Sequence, residues 1–304
     1  MKLLTTTALV AITATAAAAE GWKDDYQVLK FGILSSENEK DRLMRNEPLR
    51  GYLEETLGVD VEIFTAGNYD GVIQALSANQ IEIARLGSSA YAAAFTATDG
   101  GVVPTLTTQK MDGTTGYYSI VVSRCDSGIK NLEDAKGKVH AFADPDSTSG
   151  YAVPYFNMVT REGFKPEDYF GTVTFSGSHE AGVTGVVNGT FDTAATYQNN
   201  SVDGIFQRME EKGMIEPGQV CTIWESPEIT SGPFTARVNL PQGSKDTMQQ
   251  LVIDVPTKDP EAFKAMIGEV EGTPNPQVGW QPATHERYQW IVDMRDWLKK
   301  QRRS

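Results

Sequence analysis

The sequence has little cysteine, histidine or positive charge. Two cysteines and three histidines stand among 304 residues, and His140, His179 and His285 lack the close paired spacings that zinc sites use. We therefore expect neither a metal site nor a cofactor. With 27 Lys and Arg against 40 Asp and Glu, the formal charge is −13. Because binding nucleic-acid phosphates needs a clustered cationic face, the composition argues against a DNA or RNA partner.

The N-terminal apolar stretch is shorter than the roughly 20 residues that a membrane span requires. It begins with Lys2, continues through the apolar residues 8–12 and ends in four alanines at 16–19. This order is typical of a secretory signal peptide. We predict a signal peptide over residues 1–19, cleaved after Ala19. Since no cysteine follows that could carry a lipid, we expect a soluble periplasmic protein.

The two cysteines, Cys125 and Cys221, leave two interpretations open. Export would place them in an oxidising compartment, where a pair 96 residues apart could form a disulfide. The alternative is two buried thiols, because a bridge needs Cα atoms a few ångströms apart and the sequence does not reveal that distance.

Short apolar runs alternate with amphipathic stretches along most of the chain. Predicted strands lie at 28–34, 59–64, 81–86, 139–142, 173–175 and 191–195, and predicted helices at 48–57, 69–78, 151–162 and 180–188. Such alternation is typical of βαβ units with a mostly parallel sheet. The amphipathic segment from Tyr288 to Lys299 predicts a final helix docked on the core, and residues 272–282 predict a loop before it.

Part of this pattern repeats at an offset of 110 residues. The segment from Tyr69, with its strand at residues 81–84, aligns without a gap with the segment from His179 and its strand at residues 191–194. A fixed offset predicts duplicated architecture, here two similar α/β lobes. Ligands of open α/β sheets bind beyond the carboxyl ends of the strands, so Tyr69 and His179 are predicted on opposite walls of one cleft.

The run from Asp144 to Gly150 carries the strongest local signal for a ligand. Ser147, Thr148 and Ser149 follow a predicted strand and precede a helix. The first turn of a helix has unpaired N–H groups and a partial positive charge, which together with hydroxyls bind a tetrahedral anion. The alternative is plain helix capping. Pro154 predicts that the regular helix starts a few residues late or bends.

Six segments together resemble the phosphonate-binding periplasmic proteins of ABC transporters, the PhnD-like family. They lie at residues 31–35, 69–74, 116–119, 144–150, 178–180 and 224–227. The resemblance implies a type II periplasmic-binding-protein fold, with two lobes, a mostly parallel sheet in each and a ligand cleft between them. We assign residues 27–118 plus 236–304 to lobe 1 and residues 119–235 to lobe 2.

The resemblance also implies the site and the function. Carried over by position, Ser147, Thr148 and Ser149 would bind the phosphonate oxygens, and Tyr69, Tyr117 and His179 would complete the site. The protein would capture a phosphonate, phosphite or related oxyanion and deliver it to an inner-membrane ABC permease, as a monomer and not as an enzyme. The alternatives are a secreted Ser/His hydrolase and the ligand-binding module of a sensor system.

Several of these residues have competing roles. Tyr117 could pack at a lobe edge, and His179 could simply cap its helix. As a ligand contact His179 should gain a raised pKa from the anion, which predicts weaker binding at alkaline pH. Arg85 ends a predicted strand and Ser88 follows it, so both are possible further contacts, although such arginines are more often solvated or paired.

The sequence departs from the family where aminoalkyl phosphonates would be bound. Family members that take such ligands hold the amine with two carboxylates, and the matching positions here are Asn200 and Gly232. A buried ammonium without a paired charge is costly. Unless Asp203 or Glu228 substitutes, we expect an uncharged-tail phosphonate to bind better than 2-aminoethylphosphonate. Asn200 stays a possible ligand contact.

Overall fold

The computed structural model describes residues 21–269 and 275–301. The predicted signal peptide at residues 1–19 lies outside the described residues. Within the described part of the chain, no helix combines the length and the apolar character needed to cross a membrane.

Thirteen strands of the described residues form two sheets. They are β1 Val28–Ile33, β2 Asp60–Phe64, β3 Ile83–Arg85, β4 Val102–Lys110, β5 Gly116–Arg124, β6 Val139–Phe142, β7 Thr172–Phe175, β8 Thr193–Asn200, β9 Asp203–Gly204, β10 Val220–Glu225, β11 Ile229–Thr230, β12 Phe234–Arg237 and β13 Gln277–Pro282.

The α-helices lie between these strands and after them. They are α1 Glu39–Leu57, α2 Tyr69–Ser77, α3 Ser88–Ala97, α4 Val153–Thr160, α5 Pro166–Tyr169, α6 His179–Val187, α7 Ile205–Glu211, α8 Gln242–Lys258, α9 Pro260–Ile267 and α10 Gln289–Gln301. Short 3-10 turns occupy Gly21–Asp24 and His285–Tyr288, and a π-helical turn occupies Thr148–Ala152.

The two sheets share one strand order. The first reads β2-β1-β3-β12-β4 with β13 at its edge, and the second reads β7-β6-β8-β5-β10. In the first sheet β12 lies antiparallel between β3 and β4, and in the second sheet β5 lies antiparallel between β8 and β10. Each of these two strands is the first after the chain crosses from the other sheet. Four of the six strands of the first sheet run the same way. The predicted type II fold with two mostly parallel sheets is confirmed.

The chain passes between the sheets at two places. It leaves the first sheet after β4 and enters the second at Gly116, and it returns to the first sheet at Phe234. These points lie within a few residues of the lobe limits predicted at 119 and 235, and the division into lobes stays a prediction. We call the part built on the first sheet lobe 1 and the part built on the second sheet lobe 2.

The repeat at 110 residues corresponds to equivalent elements. Helices α2 and α6 are both nine residues long and begin at positions 69 and 179, and strands β3 and β8 begin at positions 83 and 193. Both helices start after a polar cap. The Asn68 side chain accepts from the Gly71 amide, and the Ser178 hydroxyl accepts from the Ala181 amide. The same local signal therefore places one helix start in each lobe.

Two predicted boundaries are wrong. Helix α1 begins at Glu39, not at residue 48, because Asn38 caps it through the Asp41 amide and acidic residues fill the first turn. Residues 277–282 were expected in a loop and instead form β13, which pairs antiparallel with β4. The backbone hydrogen bonds of that pairing outweigh the weak local strand preference of a Gly- and Pro-containing segment.

The C-terminal helix α10 docks on both lobes. Its buried Ile291 and Leu298 join a core cluster that includes Tyr91 of lobe 1 and Phe142 of lobe 2. The ring of Trp297 meets that of Phe156 of lobe 2 edge to face, with centroids 5.0 Å apart. The predicted docking of the amphipathic tail is confirmed.

Cys125 and Cys221 form a disulfide, with Cα atoms 5.0 Å apart. They join the paired strands β5 and β10 at the far end of β5 from Gly116, where the chain enters lobe 2. Of the two interpretations that the sequence left open, the bridge is the one that the structure contains.

We expect the double variant Cys125→Ala/Cys221→Ala to lower the free energy of unfolding by about 2–5 kcal/mol, since the bridge closes a long loop and restricts the unfolded chain. Urea denaturation of oxidised native protein and variant measures the difference. Because the bridge lies away from the cleft described below, ligand affinity should stay unchanged. Equal stability of the two proteins would contradict a stabilising role.

Candidate functional site

A cleft with a cavity volume of about 220 Å³ lies between the lobes. Both lobes contribute to it, at the carboxyl ends of β1, β3, β6 and β8. The residues that line it are Ile33, Leu34, Ser36, Arg42, Arg45, Asn46, Tyr69, Arg85, Leu86, Gly87, Tyr117, Ser147, Thr148, Ser149, His179, Tyr197, Asn199, Ser231 and Gly232. All six predicted ligand-binding residues are therefore brought together.

The segment from Ser147 to Ser149, which we call the hydroxyl loop, starts the π-helical turn after β6. The Ser147 hydroxyl accepts a hydrogen bond from the Gly150 amide at 3.0 Å and so caps the turn. The regular helix α4 begins only at Val153, with Pro154 in its first turn, where a missing N–H costs no hydrogen bond. Of the two effects that Pro154 predicted, the late helix start is the one observed.

The hydroxyl loop is fixed from both lobes. The Thr148 hydroxyl accepts from the Ser89 amide at the start of α3 in lobe 1, at 2.8 Å. The Ser119 hydroxyl of β5 donates to the Ser149 carbonyl at 2.6 Å. All three loop residues are buried. All three also line the cleft, so their hydroxyls and amides form a set of polar groups that the fold holds at its wall.

Gly150 is required by the close packing behind this loop. A Cβ atom at position 150 would lie 2.4 Å from the Cβ of Ala143 and 2.8 Å from the Ser147 hydroxyl. Real Cβ atoms do not approach so closely, so any other residue would displace the loop. Steric exclusion of a Cβ atom therefore explains why a glycine ends the hydroxyl run.

His179 supports the hydroxyl loop from behind. Its Nε2 lies 3.2 Å from the Ser147 hydroxyl and its Nδ1 lies 3.1 Å from the Thr196 hydroxyl. Burial lowers the pKa of the His179 imidazole to about 4, so the ring is neutral at neutral pH. If Thr196 donates to Nδ1, then Nε2–H donates to the Ser147 oxygen.

The two tyrosines of the predicted site are neutral donors. Burial raises the pKa of the Tyr69 phenol well above its ordinary value, and a hydrogen bond with Ser147 opposes the rise. Burial likewise raises the pKa of Tyr117, against hydrogen bonds with Ser149 and Thr148. Both phenols therefore keep their protons at neutral pH and meet the hydroxyl loop. Tyr117 lies in the cleft, although the sequence also allowed a packing role for it.

Of the three possible further contacts that the sequence offered, only one lies in the cleft. Arg85 lines the cleft at the end of β3, whereas Ser88 and Asn200 do not line it. The Ser88 hydroxyl donates to the Thr230 carbonyl, and the Asn200 side chain accepts from the amides of Val202 and Asp203. Both side chains form hydrogen bonds within the protein, Ser88 at the start of α3 and Asn200 in the turn after β8.

The sequence analysis missed several cleft residues, and those with the largest polar side chains lie on α1 and β8. Arg42, Arg45 and Asn46 lie on the part of α1 that the predicted helix omitted. The cap residue Asn38 followed by acidic residues was the signal that could have extended it. Tyr197 and Asn199 lie on β8 and face the cleft two residues apart, as alternate residues of a strand do.

The lobes contact each other on both sides of the cleft. On one side Lys212 of lobe 2 lies 2.6 Å from Asp41 and 3.5 Å from Glu37 of lobe 1. On the other side Arg295 pairs with Asp146 at 2.7 Å. Glu37, Asp41 and Glu180 bring carboxylate oxygens within 4.8 Å of one another, as a metal site would require. Lys212 already supplies a cation to two of them.

Two α/β lobes that enclose a polar cleft define a two-lobed substrate-binding protein. The profile of a family described as "ABC transporter, phosphonate, periplasmic substrate-binding protein" matches residues 31–288. The chain belongs to this family of phosphonate-binding proteins.

Individual relatives agree with the family. The phosphonates-binding periplasmic protein of Escherichia coli K12 is 31% identical over 264 residues, which cover 86% of this chain and 72% of the relative. The phosphate-import protein PhnD of Mycolicibacterium smegmatis is 29% identical over 253 residues, covering 77% of this chain and 76% of the relative.

Solved structures share the fold. A binding-protein component of a phosphonate ABC transporter from Pseudomonas aeruginosa superposes with a TM-score of 0.75 at 26% identity, covering 88% of this chain and 85% of that one. PhnD1 of Prochlorococcus marinus, solved with methylphosphonate, has a TM-score of 0.75 at 20% identity, covering 90% of this chain and 99% of that one.

We expect the free energy of unfolding to fall as the pH drops from about 6.5 toward 4. The pKa of His179 is lowered to about 4, and that of His140 to about 3 by burial, against an ordinary value near 6.5. The unfolded chain therefore binds more protons in this range, and acid favours unfolding. Urea denaturation at pH 7 and pH 4.5 measures the fall, which should be smaller in His179→Asn. An identical fall in both proteins would contradict a buried neutral imidazole.

Proposed function

We propose that the protein captures a phosphonate, phosphite or related phosphorus oxyanion between its two lobes and presents the closed complex to an ABC permease in the inner membrane. The hydroxyl loop at residues 147–149 is the observation that carries this proposal. Its hydroxyls, the amides at the start of the π-helical turn and the phenols of Tyr69 and Tyr117 form one polar cluster.

The chemistry of the cluster suits a tetrahedral oxyanion. Such an anion has three oxygens, each able to accept two or more hydrogen bonds, and a helix start supplies amide donors with a partial positive charge. The PhnD1 protein with methylphosphonate and the two relatives named for phosphonate and phosphate support a phosphorus ligand.

A ligand that contacts both walls of the cleft can hold the two lobes together. Thr148 receives its positioning hydrogen bond from Ser89 of lobe 1, and Tyr69 begins a helix of lobe 1. A ligand held by both lobes binds the closed form more tightly than the open form, and this difference drives closure. The closed shape is what the permease would recognise.

The proposal includes export and a single-chain state. The protein would reach the periplasm with residues 1–19 as signal peptide, be cut after Ala19 and act as a soluble monomer. The lobes would comprise residues 27–118 plus 236–304 and residues 119–235.

The Ser147 and His179 pair supports binding rather than hydrolysis. In a catalytic triad an acid orients the histidine, whereas the second partner of the His179 ring is the Thr196 hydroxyl. Ser147 also caps the turn through the Gly150 amide, which ties its oxygen to the backbone. We therefore propose that the protein is not an enzyme.

The cleft disfavours a ligand amine. A Cβ atom at Gly232 would lie 1.9 Å from the Leu86 carbonyl oxygen, so that position has no room for a carboxylate side chain. Asp203 pairs with Arg208 at 2.9 Å, and Glu228 is exposed beside Tyr118. Neither acid lines the cleft. An ammonium enclosed here would lack a paired negative charge.

We expect Ser147→Ala and Thr148→Val each to weaken methylphosphonate binding about tenfold or more, because each loses a charge-assisted hydrogen bond worth roughly 1.5–3 kcal/mol. Isothermal titration calorimetry with methylphosphonate, phosphite and phosphate measures the affinities. The matched control is Thr160→Val, an exposed hydroxyl at the end of α4. Unchanged binding in both loop variants would refute the proposed site.

We expect 2-aminoethylphosphonate to bind at least about tenfold more weakly than methylphosphonate, since burying an unpaired ammonium costs several kcal/mol. Competition calorimetry of the two compounds on the native protein decides the order. A tighter aminoethyl complex would mean that a carboxylate reaches the amine after all.

A further inference from the structure

The cleft contains an excess of positive charge beside the hydroxyl loop. Arg42, Arg45 and Arg85 line it, and no Asp or Glu is among the described residues that do. Arg42 and Arg45 lie three residues apart on α1 and so share one face of the helix, while Arg85 ends β3. This group, which we call the arginine wall, belongs to lobe 1.

Acids outside the cleft account for part of this charge. Arg45 forms a salt bridge with Glu37, and Lys212 connects Glu37 with Asp41. Behind Tyr197, Arg208 pairs with Asp203 at 2.9 Å. These pairs are balanced without a ligand.

Arg42 is not balanced in this way. Its residue is 5% exposed, and its Nε and Nη1 atoms are buried without a hydrogen-bond partner in the described part of the chain. A buried guanidinium with unused donors is costly unless an anion binds it. Arg42 lines the cleft and also a neighbouring cavity that contains Glu37 and Glu180. Since neither of these acids forms a salt bridge with Arg42 in the described part of the chain, an anion in the cleft is a group that can satisfy it.

Arg85 is a second cation without an acidic partner. Its Nη1 donates to the Met266 carbonyl at 3.0 Å, and its guanidinium lies over the Phe234 ring at 5.9 Å. No salt bridge of Arg85 or Arg42 occurs among the described residues. Burial lowers the pKa of Arg85 to about 10, which still leaves the side chain charged at neutral pH.

The hydroxyl loop and the arginine wall are separate sets of donors. The loop hydroxyls bond with Tyr69, Tyr117, His179 and Ser89, and none of these contacts involves the three arginines. Tyr197 also lines the cleft. Its ring meets that of His179 at 5.1 Å, and its hydroxyl accepts from Arg208 at 3.4 Å.

We propose that the ligand carries a second anionic group, a carboxylate, which Arg42 and Arg85 bind while the hydroxyl loop holds the phosphorus oxyanion. This rests on the proposed function and names its ligand class as phosphonocarboxylates. The planar guanidinium fork matches a carboxylate with two parallel hydrogen bonds, which suits arginine to this role. The same charges repel a ligand amine.

The test is calorimetric titration of the native protein with methylphosphonate, phosphonoacetate and 3-phosphonopropionate. At least one phosphonocarboxylate should bind about tenfold or more tightly than methylphosphonate, as one charge-assisted hydrogen bond is worth roughly that factor. In Arg42→Gln this advantage should disappear, because the phosphonocarboxylates should lose about tenfold more affinity than methylphosphonate loses. Arg85→Gln should reduce the same advantage.

Arg50→Gln is the matched control, because Arg50 lies on α1 outside the cleft and pairs with Glu47 and Glu54. It should leave all affinities unchanged, and circular dichroism checks that each variant is folded. If Arg42→Gln does not fold, the affinities of the native protein for the three compounds and those of Arg85→Gln test the inference.

Two results would overturn the inference. One is equal affinity of the native protein for methylphosphonate and both phosphonocarboxylates. The other is an equal loss for all compounds in Arg42→Gln, which would assign the arginine to the phosphorus group. Failure of the native protein to bind any phosphorus compound would instead refute the proposed function.

Discussion

The proposed site depends on holding an anion with neutral donors in a buried place. Ser147, Thr148 and Ser149 supply hydroxyls and amides that need no counter-charge when the cleft is empty, and their positions are set by contacts with Ser89 and Ser119. The local requirements follow from this arrangement. Gly150 is small because the loop packs tightly, and the neutral ring of His179 supports Ser147 through a hydrogen bond. The loop is therefore ready for its ligand before the ligand arrives.

The architecture explains how one loop can control two lobes. The chain crosses from lobe 1 to lobe 2 just before β5 and returns to lobe 1 just before β12. Each of these strands is antiparallel to its neighbours in the sheet that it enters. Equivalent helices, α2 and α6, start on opposite walls because the same capped helix-strand unit occurs twice. The pseudo-symmetry thus produces two facing helix starts from one local pattern.

Much of this could be predicted from the sequence, because the relevant signals are local. The hydroxyl run is one short segment, the alternation of strands and helices is a series of short segments, and the 110-residue offset is a match between two of them. Asn199 was missed in favour of its neighbour because a shift of one residue on a strand reverses the face. Arg42 was missed because the predicted helix started too late. The disulfide was left open between two interpretations, because the separation of two Cα atoms depends on the whole fold. The misses concern boundaries and long-range distances.

The ion pairs that join the lobes beside the cleft affect how empty and loaded molecules compete for the transporter. Pairs such as Lys212 with Asp41 and Arg295 with Asp146 join the lobes at partly exposed positions, and such pairs typically contribute only about 0–1 kcal/mol each. These ion pairs by themselves are too weak to lock an empty molecule shut. Unloaded copies would then spend little time in the shape that docks, so that vacant molecules compete poorly with loaded ones for a limited number of membrane complexes.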